Sequence, residues 1–433
     1  MAPLLPLLLA VLGLLTPLIR AAPPPALPFR SSSRWILDAN NQRFKFRCVN
    51  WAGHMEANIP EGLQHQSIDH IVDWIGQQGF NCVRLTYSTE HALNPNTTVA
   101  ASFTSAAGAA GVAPADMAAL YAQVVAHNPW ITPSTTTRDV FGAAVDKLFA
   151  RGIVTILDNH VSKASWCCNL TDGNGWWDDA FGYNTWNSRF FRTADWLAGL
   201  QAMAAWAGGG KHPGVAAMSL RNELREFLLQ NLNGGRADWY TYVKRGGDLV
   251  HATNPDVLVL VGGTQSTTDL LHLRSSVMGG APGGRMLDTS GWAGKHVWEM
   301  HAYSFTVTFP DAFQNCDIVK AQYGAFVGFV LEQGKRYTGP LILSEFGVGM
   351  EGGPAELNGL SEKDDRYLRC MVSYMENNDA DWAVWAIQGS YYVRDKKVDS
   401  DESWGLMNHD WSGWRNPAFA GKLGKMWNMT QTP

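Results

Sequence analysis

Two hydrophobic rhythms alternate along this chain. Ile68, Ile71, Val72 and Ile75 recur at helical spacing, stop at Gly79, and give way to the apolar run FNCVRLTY at 80–87. Val140, Phe141, Ala144, Val145, Leu148 and Phe149 repeat the helical pattern, stop at Gly152, and lead into IVTILDNH at 153–160. Each glycine falls where a helix is expected to end on a left-handed residue. The alternation continues through AAMSLRNE (216–223), VLVLVGG (257–263), HVWEMHAY (296–303), LILSEFG (341–347) and WAVWAIQG (382–389), and FKFRCVNW (44–51) opens the series. Near-continuous apolar strands set between amphipathic helices predict a parallel sheet covered by helices. Eight of them predict an α/β chain folded as a (β/α)8 TIM barrel rather than an open, doubly wound sheet. The glycine fingerprint of a dinucleotide fold is missing after the first strand, which points the same way.

Ahead of the barrel, RWILDANNQRFKFRCV (34–49) has two β-prone runs around Asp38–Asn41 and predicts a short N-terminal β-hairpin. Two long insertions break the rhythm. Residues 88–136 follow the second strand and hold a helical pattern near 114–127. Residues 161–190 follow the third and contain WCC, DGNG and four tryptophans. Both begin at the C-terminal ends of strands, so the barrel is expected to carry long loops on the face where such barrels build active sites. DGNG reads as a turn, because the rest of a calcium-loop pattern is missing. The tryptophans Trp166, Trp176 and Trp177 fit either cleft platforms or loop packing.

Residues 1–22 are an apolar, proline-broken run ending in small residues, which predicts a secretory signal rather than a membrane span. A Pro/Ser-rich linker is expected at 23–33 and a single domain at 34–433. Six cysteines in an exported chain suggest disulfides, with the pairing open; adjacent Cys167 and Cys168 are expected to reach partners elsewhere. CxxC and HExxH spacings are absent, so no metal or other cofactor is expected. Sequons at Asn96, Asn169 and Asn428 fit a secreted glycoprotein. Hydrophobic residues at 46% and charged residues at 17% allow a large core and exclude wholesale disorder. A net charge of −5 with no basic run leaves no electrostatic footprint for nucleic acid. No stable membrane insertion is expected, and the chain is expected to be a monomer. Tryptophan is unusually abundant, 19 against 18 phenylalanines, which suggests flat stacking surfaces of the kind sugars use.

The informative polar residues sit at strand ends: Arg84, Asp158-Asn159-His160, Arg221-Asn222-Glu223, His301 with Tyr303, Ser344-Glu345, and Trp385 with Gln388 behind it. Ionisable groups ending apolar strands are costly to bury unless paired or used. Glu223 and Glu345 would converge on one rim, where two carboxyl groups about 5–5.5 Å apart can cleave a glycosidic bond with retention. One must be an ionised nucleophile and the other must hold a proton near neutral pH. Arg84 and Tyr303 are placed to hold charge on Glu345, Asn222 to bind a sugar 2-hydroxyl, and Trp385 to lie under the reacting ring. His54 and Glu56 follow the first strand, where they could border the cleft.

These residues resemble glycoside hydrolase family 5 of the barrel clan A. The likeness extends over CVNWAGHMEANIPEGL, GFNCVRLTY, ILDNHVSKASWCCNLTDGNG, MSLRNELR, HAYSF, SEFG and WAIQGSYYVR, from about residue 34 to 415, and is to the cellulase-like branch found in plants and fungi. The resemblance implies Glu223 as acid/base and Glu345 as nucleophile. It implies that Arg84, His160, Asn222, His301, Tyr303 and Trp385 line the subsite for the sugar on the nonreducing side of the cut. One departure is His301-Ala302-Tyr303, where relatives often carry Trp in the middle. The implied activity is that of a secreted, cofactor-free, retaining β-glycoside hydrolase of the endo-β-1,4-glucanase type acting on a β-linked polysaccharide or oligosaccharide. β-Mannan, β-1,3-glucan and a glycolipid headgroup are alternative substrates, transglycosylation is an alternative outcome, and a non-catalytic glycan-binding barrel is the alternative class.

Overall fold

The computed structural model describes residues 23–180, 182–227, 235–274, 286–305 and 315–433; the expected signal at 1–22 lies outside the described residues. Eight parallel strands close into a barrel: β1 (Arg47–Trp51), β2 (Cys82–Ser88), β3 (Val154–Val161), β4 (Val215–Ser219), β5 (Leu258–Gly262), β6 (His296–His301), β7 (Leu341–Phe346) and β8 (Asp381–Val384). Closure is made by β8 against β1, with Trp382, Ala383 and Val384 opposite Arg47, Cys48 and Val49. The fold is therefore the (β/α)8 barrel that the alternating pattern predicts.

The strands read as continuous apolar runs because both of their faces are covered. Cys82, Val154, Ile156, Ala217, Leu258, Leu260, Val297, Ile342 and Ala383 point inward and pack with Ile36, Phe29 and Phe46 in the barrel's own core. Their neighbours Val83, Leu85, Leu157, Met218, Val259 and Leu343 point outward into a second core shared with the helices. Side chains alternate along a strand, so this two-sided burial sets the register of every strand.

The helices begin and end as their sequences dictate. Ile68–Gln77 is capped by Ser67, whose side chain accepts from the His70 N–H, and Gly79 beyond it has φ +85°. Thr137–Phe149 opens on a capping box of Thr136 with Asp139, and Gly152 has φ +78°. The 88–136 insertion folds mainly as helices Val99–Ala110 and Pro114–His127, which pack together.

Two expectations are corrected. The regular N-terminal hairpin pairs Arg30–Ser32 with Trp35–Leu37, so its tip is at Ser33-Arg34. The turn at Asp38–Asn41 also forms, but beyond it only the Leu37–Arg43 bridge and a Phe44 N–H to Ile36 carbonyl bond are made. The chain leaves the hairpin there because Phe44 and Phe46 turn into the floor of the barrel and pack against Phe29 in tilted and edge-to-face contacts. The second correction concerns the adjacent cysteines. Cys167 and Cys168 are bonded to each other rather than to partners elsewhere, with their Cα atoms 3.0 Å apart. Cys48–Cys82 ties β1 to β2, and Cys316–Cys370 ties helix Cys316–Phe326 to helix Glu362–Asn378.

Candidate active site

Going up the barrel interior, the inward positions change from apolar to charged. On β2 the inward residue above Cys82 is Arg84, on β3 Asp158 and His160 stand above Ile156, and on β6 Glu299 and His301 stand above Val297. Arg84 is fully buried and sits at the centre. Its Nη1 donates to Glu345 Oε1 at 2.7 Å and Asn50 Oδ1 at 3.0 Å, and its Nη2 donates to Asn222 Oδ1 at 2.9 Å. Asp158 Oδ1 is also 2.9 Å from Nη2, and Glu299 Oε1 is 3.8 Å from Nε. One buried cation among three carboxylates stays charged: the surrounding negative groups outweigh the cost of burial and raise the guanidinium pKa still further.

The two strand-end glutamates meet over this layer. One carboxylate oxygen of each, together with a nitrogen of His301, lies within 4.8 Å of the others. Glu345 belongs to β7, and its second oxygen accepts from the Tyr303 hydroxyl at 2.9 Å. Glu223 lies just past β4 with φ +43°, a left-handed conformation unusual for a non-glycine residue, and its Oε1 is 3.0 Å from His301 Nδ1. Burial pushes the Glu223 carboxyl up to about 7, against the opposing pull of Arg225 and Arg84. Burial raises Glu345 as well, opposed by His301 and Arg84. The difference between them is in their donors: Glu345 is held by a guanidinium and a phenol, Glu223 by an imidazole and the Ser266 hydroxyl. Burial lowers the His301 pKa, so that imidazole is neutral at neutral pH.

The remaining predicted residues gather at the same place. His160 Nδ1 is held by Asp158 at 2.6 Å, its Nε2 is 3.3 Å from the Asn222 amide, and its ring lies parallel to Trp385 with centroids 5.4 Å apart. Glu223, Glu345, Asn222, His160, Tyr303 and Trp385 all line one cavity of about 340 Å³. Arg84 and His301 lie directly beneath, supporting the carboxylates rather than lining the space. His54 is fully buried behind His160, with its Nδ1 2.7 Å from Thr86 Oγ1, and Glu56 lines a cavity that shares Trp166 and Arg394 with this one.

Several wall residues escaped the strand-end pattern. Trp166, the Cys167–Cys168 pair, Phe305, Arg394, Glu402 and Trp404 complete the cavity. Arg394 stacks 3.5 Å over the Trp166 ring and pairs with Glu402 at 2.7 Å, joining the loop after β3 to the loop after β8. Arg225 braces the other side: it donates to the Glu223 carbonyl at 2.7 Å and to both carboxylate oxygens of Asp172. Both cysteine sulfurs lie within 3.7 Å of the Asn222 amide. The long 161–190 insertion and its tryptophans were the signal for part of this wall, with cleft platform and loop packing both open for Trp166, Trp176 and Trp177. Trp176 and Trp177 are fully buried against each other as loop packing, whereas Trp166 faces the cavity.

The cellulase family model, glycosyl hydrolase family 5, matches residues 37–390. A glycosyl hydrolase 5 family protein of Chamaecyparis obtusa is 36% identical over 438 residues, covering 99% of this chain and 71% of the relative. An endoglucanase of Paenibacillus polymyxa is 20% identical over 397 residues, covering 90% of this chain and 84% of that one. Among solved structures, the hyperthermophilic endocellulase of Pyrococcus horikoshii superposes with a TM-score of 0.68 at 17% identity, covering 94% of this chain and 100% of its own. A mutant of that enzyme in complex with cellotetraose superposes at 0.66, also at 17% identity, with the same coverage of both chains. The family match extends over most of the chain and contains both glutamates and the strands that carry them. The chain belongs to glycoside hydrolase family 5 and is a retaining O-glycosyl hydrolase.

Proposed function

We propose that this protein is a secreted endo-β-1,4-glucanase that works by double displacement with Glu345 as nucleophile and Glu223 as acid/base. The observation that carries the reading is the pair itself: two carboxylates within 4.8 Å at the nearest oxygens, held by different donors. Arg84 and Tyr303 keep negative charge on Glu345, which attacks the anomeric carbon while Glu223, with a pKa near 7, gives its proton to the departing glycosidic oxygen. A covalent glycosyl-enzyme forms. Glu223, now ionised, then takes a proton from a water molecule whose oxygen bonds to the same carbon, and the ester bond to Glu345 breaks, releasing its carboxylate.

In this reading Asn222 binds the sugar 2-hydroxyl, where a hydrogen bond strengthens as positive charge develops on the ring. Its position is set by Arg84 below and His160 beside it. Trp385 lies under the ring, and His160 stiffens it by stacking. A β-1,4-glucan substrate is supported by the endoglucanase relatives and by the solved endocellulase complex with cellotetraose. Export is supported by the apolar leader, by three disulfides, and by the exposure of all three sequon asparagines. Among the described residues no helix is long and apolar enough to cross a membrane.

The test is a substrate panel of carboxymethyl cellulose, β-mannan, laminarin and an aryl β-glucoside, with wild type beside Glu345→Ala. Cleavage of carboxymethyl cellulose to mixed-length products, lost in the variant, is the expected result. Preference for another polymer would retain the mechanism and replace the substrate. Silence across the panel from a folded enzyme that still binds oligosaccharide would favour the non-catalytic reading.

A further inference from the structure

Away from the cleft, three segments meet at a cluster of imidazoles and carboxylates. His65 comes from the stretch after β1, Asp399 and Asp401 from the outer strand Lys397–Asp401, and His409 from the loop beyond it. His65 Nε2 lies 2.8 Å from Asp399 Oδ1, and His409 Nε2 lies 3.0 Å from Asp399 Oδ2. One ligating atom from each of these three residues falls within 4.8 Å of the others. The two rings meet at 66° with centroids 5.3 Å apart, so both Nε2 atoms face the same carboxylate. All three side chains are partly open to solvent, which gives an ion a path in.

The outer contacts are those of a metal-binding histidine. His409 Nδ1 is 3.1 Å from Asp401 Oδ1, and Asp401 is itself held by both terminal nitrogens of Arg415, at 2.5 and 3.2 Å. A carboxylate behind the far ring nitrogen holds a proton there, so a cation that replaces the Nε2–Asp399 hydrogen bond would meet the near nitrogen's lone pair. Gln64 Nε2 donates to Asp399 Oδ1 at 3.1 Å and so helps fix the central carboxylate.

We propose that His65, Asp399 and His409 bind one divalent transition-metal ion, with zinc the best match, leaving a fourth position to water. Two imidazoles and one carboxylate suit zinc, whereas calcium and magnesium prefer an all-oxygen shell. No motif announced the site because His65 stands 334 positions before Asp399. The ion would fasten the hairpin Ser390–Arg394/Lys397–Asp401 to the barrel, and that hairpin carries Arg394 into the wall of the catalytic cavity, with Glu402 immediately after it.

The full chain, dialysed against a chelator, is titrated with zinc chloride by calorimetry and unfolded thermally with and without the metal. A single equivalent is expected to bind and to raise the melting midpoint by about 3 °C at saturation. His65→Ala and His409→Ala are expected to lose both effects, and calcium chloride is expected to produce neither in the wild type. Asp401→Asn keeps all three ligands and is expected to bind zinc roughly 10–100-fold more weakly, a readout available even if the alanine variants fold poorly. Absence of heat and midpoint shift with zinc in the wild type would overturn the proposal. Undiminished zinc binding by both alanine variants, or a calcium effect equal to that of zinc, would do the same.

Discussion

The lower and upper halves of the barrel interior are built from the same strands and do opposite things. Below, Cys48, Cys82, Ile156, Leu260, Val297 and Ile342 fill the space with apolar volume that any well-packed set of similar size could supply. One inward position higher on three of these strands, Arg84, Asp158 and Glu299 replace that volume with a buried charge network. Burying such groups stabilises a fold poorly, because the desolvation cost offsets most of the attraction. The upper layer positions the two strand-end glutamates, at the price of stability that the lower layer provides.

Predictions follow from trying to exchange the roles of the two layers. Glu345→Ala should abolish turnover, lowering kcat/KM by at least about 10⁴-fold on every substrate, with the melting midpoint nearly unchanged. Steady-state kinetics beside thermal unfolding reads both quantities, and a large midpoint loss would blur the division between layers. Glu223→Gln should cost roughly 10²–10⁴-fold on unactivated glucan while sparing glycosylation by a substrate with a good leaving group, measured as burst amplitude.

The pH profile sharpens the same point. In the proposed mechanism Glu223 gives the proton of the first step, and burial pushes its carboxyl up to about 7, so kcat/KM should fall as pH rises through that value. In Glu223→Gln, assayed with the activated substrate, that alkaline limb should vanish; a limb that persists would assign it to another group.

Arg84→Met belongs to both halves. It would leave Asp158, Glu299 and Glu345 without their shared cation, and a loss of about 3–5 kcal/mol of stability is expected together with loss of activity, measured by denaturant unfolding and kinetics. Ile156→Ala in the lower layer should cost about 2–5 kcal/mol in the same unfolding experiment but leave kcat/KM of the folded fraction close to wild type. The smallest effect is expected at the rim. Replacing Cys167 and Cys168 by alanine removes their mutual bond and weak sulfur contacts to Asn222 and Arg225 but no hydrogen bond to either glutamate, and a kcat/KM loss of less than about tenfold is expected from the same assays.

The barrel was legible because its strands are buried on both faces, so their apolar runs stand out and their polar ends stand out further. Arg84, Asn222, Glu223 and Glu345 could be singled out for that reason, and the structure brings them together with His160, His301, Tyr303 and Trp385. The wall was legible only in part. Arg394 meets Trp166 from far along the chain, and loops carry no periodicity that would betray such a contact. The bond between Cys167 and Cys168 was hidden for a different reason: six cysteines leave the pairing open, and nothing in their spacing selects the adjacent pair. The hairpin moved its tip because Phe44 and Phe46 are drawn to the barrel floor, a tertiary demand that local β-propensity does not contain.

The central claim is that Glu345 attacks the sugar and Glu223 serves it with protons. An activated 2-deoxy-2-fluoro β-cellobioside slows both steps but the second more, so the glycosyl-enzyme accumulates and can be digested and sequenced by mass spectrometry. The account predicts one sugar adduct per chain, carried on Glu345. An adduct on Glu223 or on another residue, or continued turnover with no covalent adduct, would contradict it.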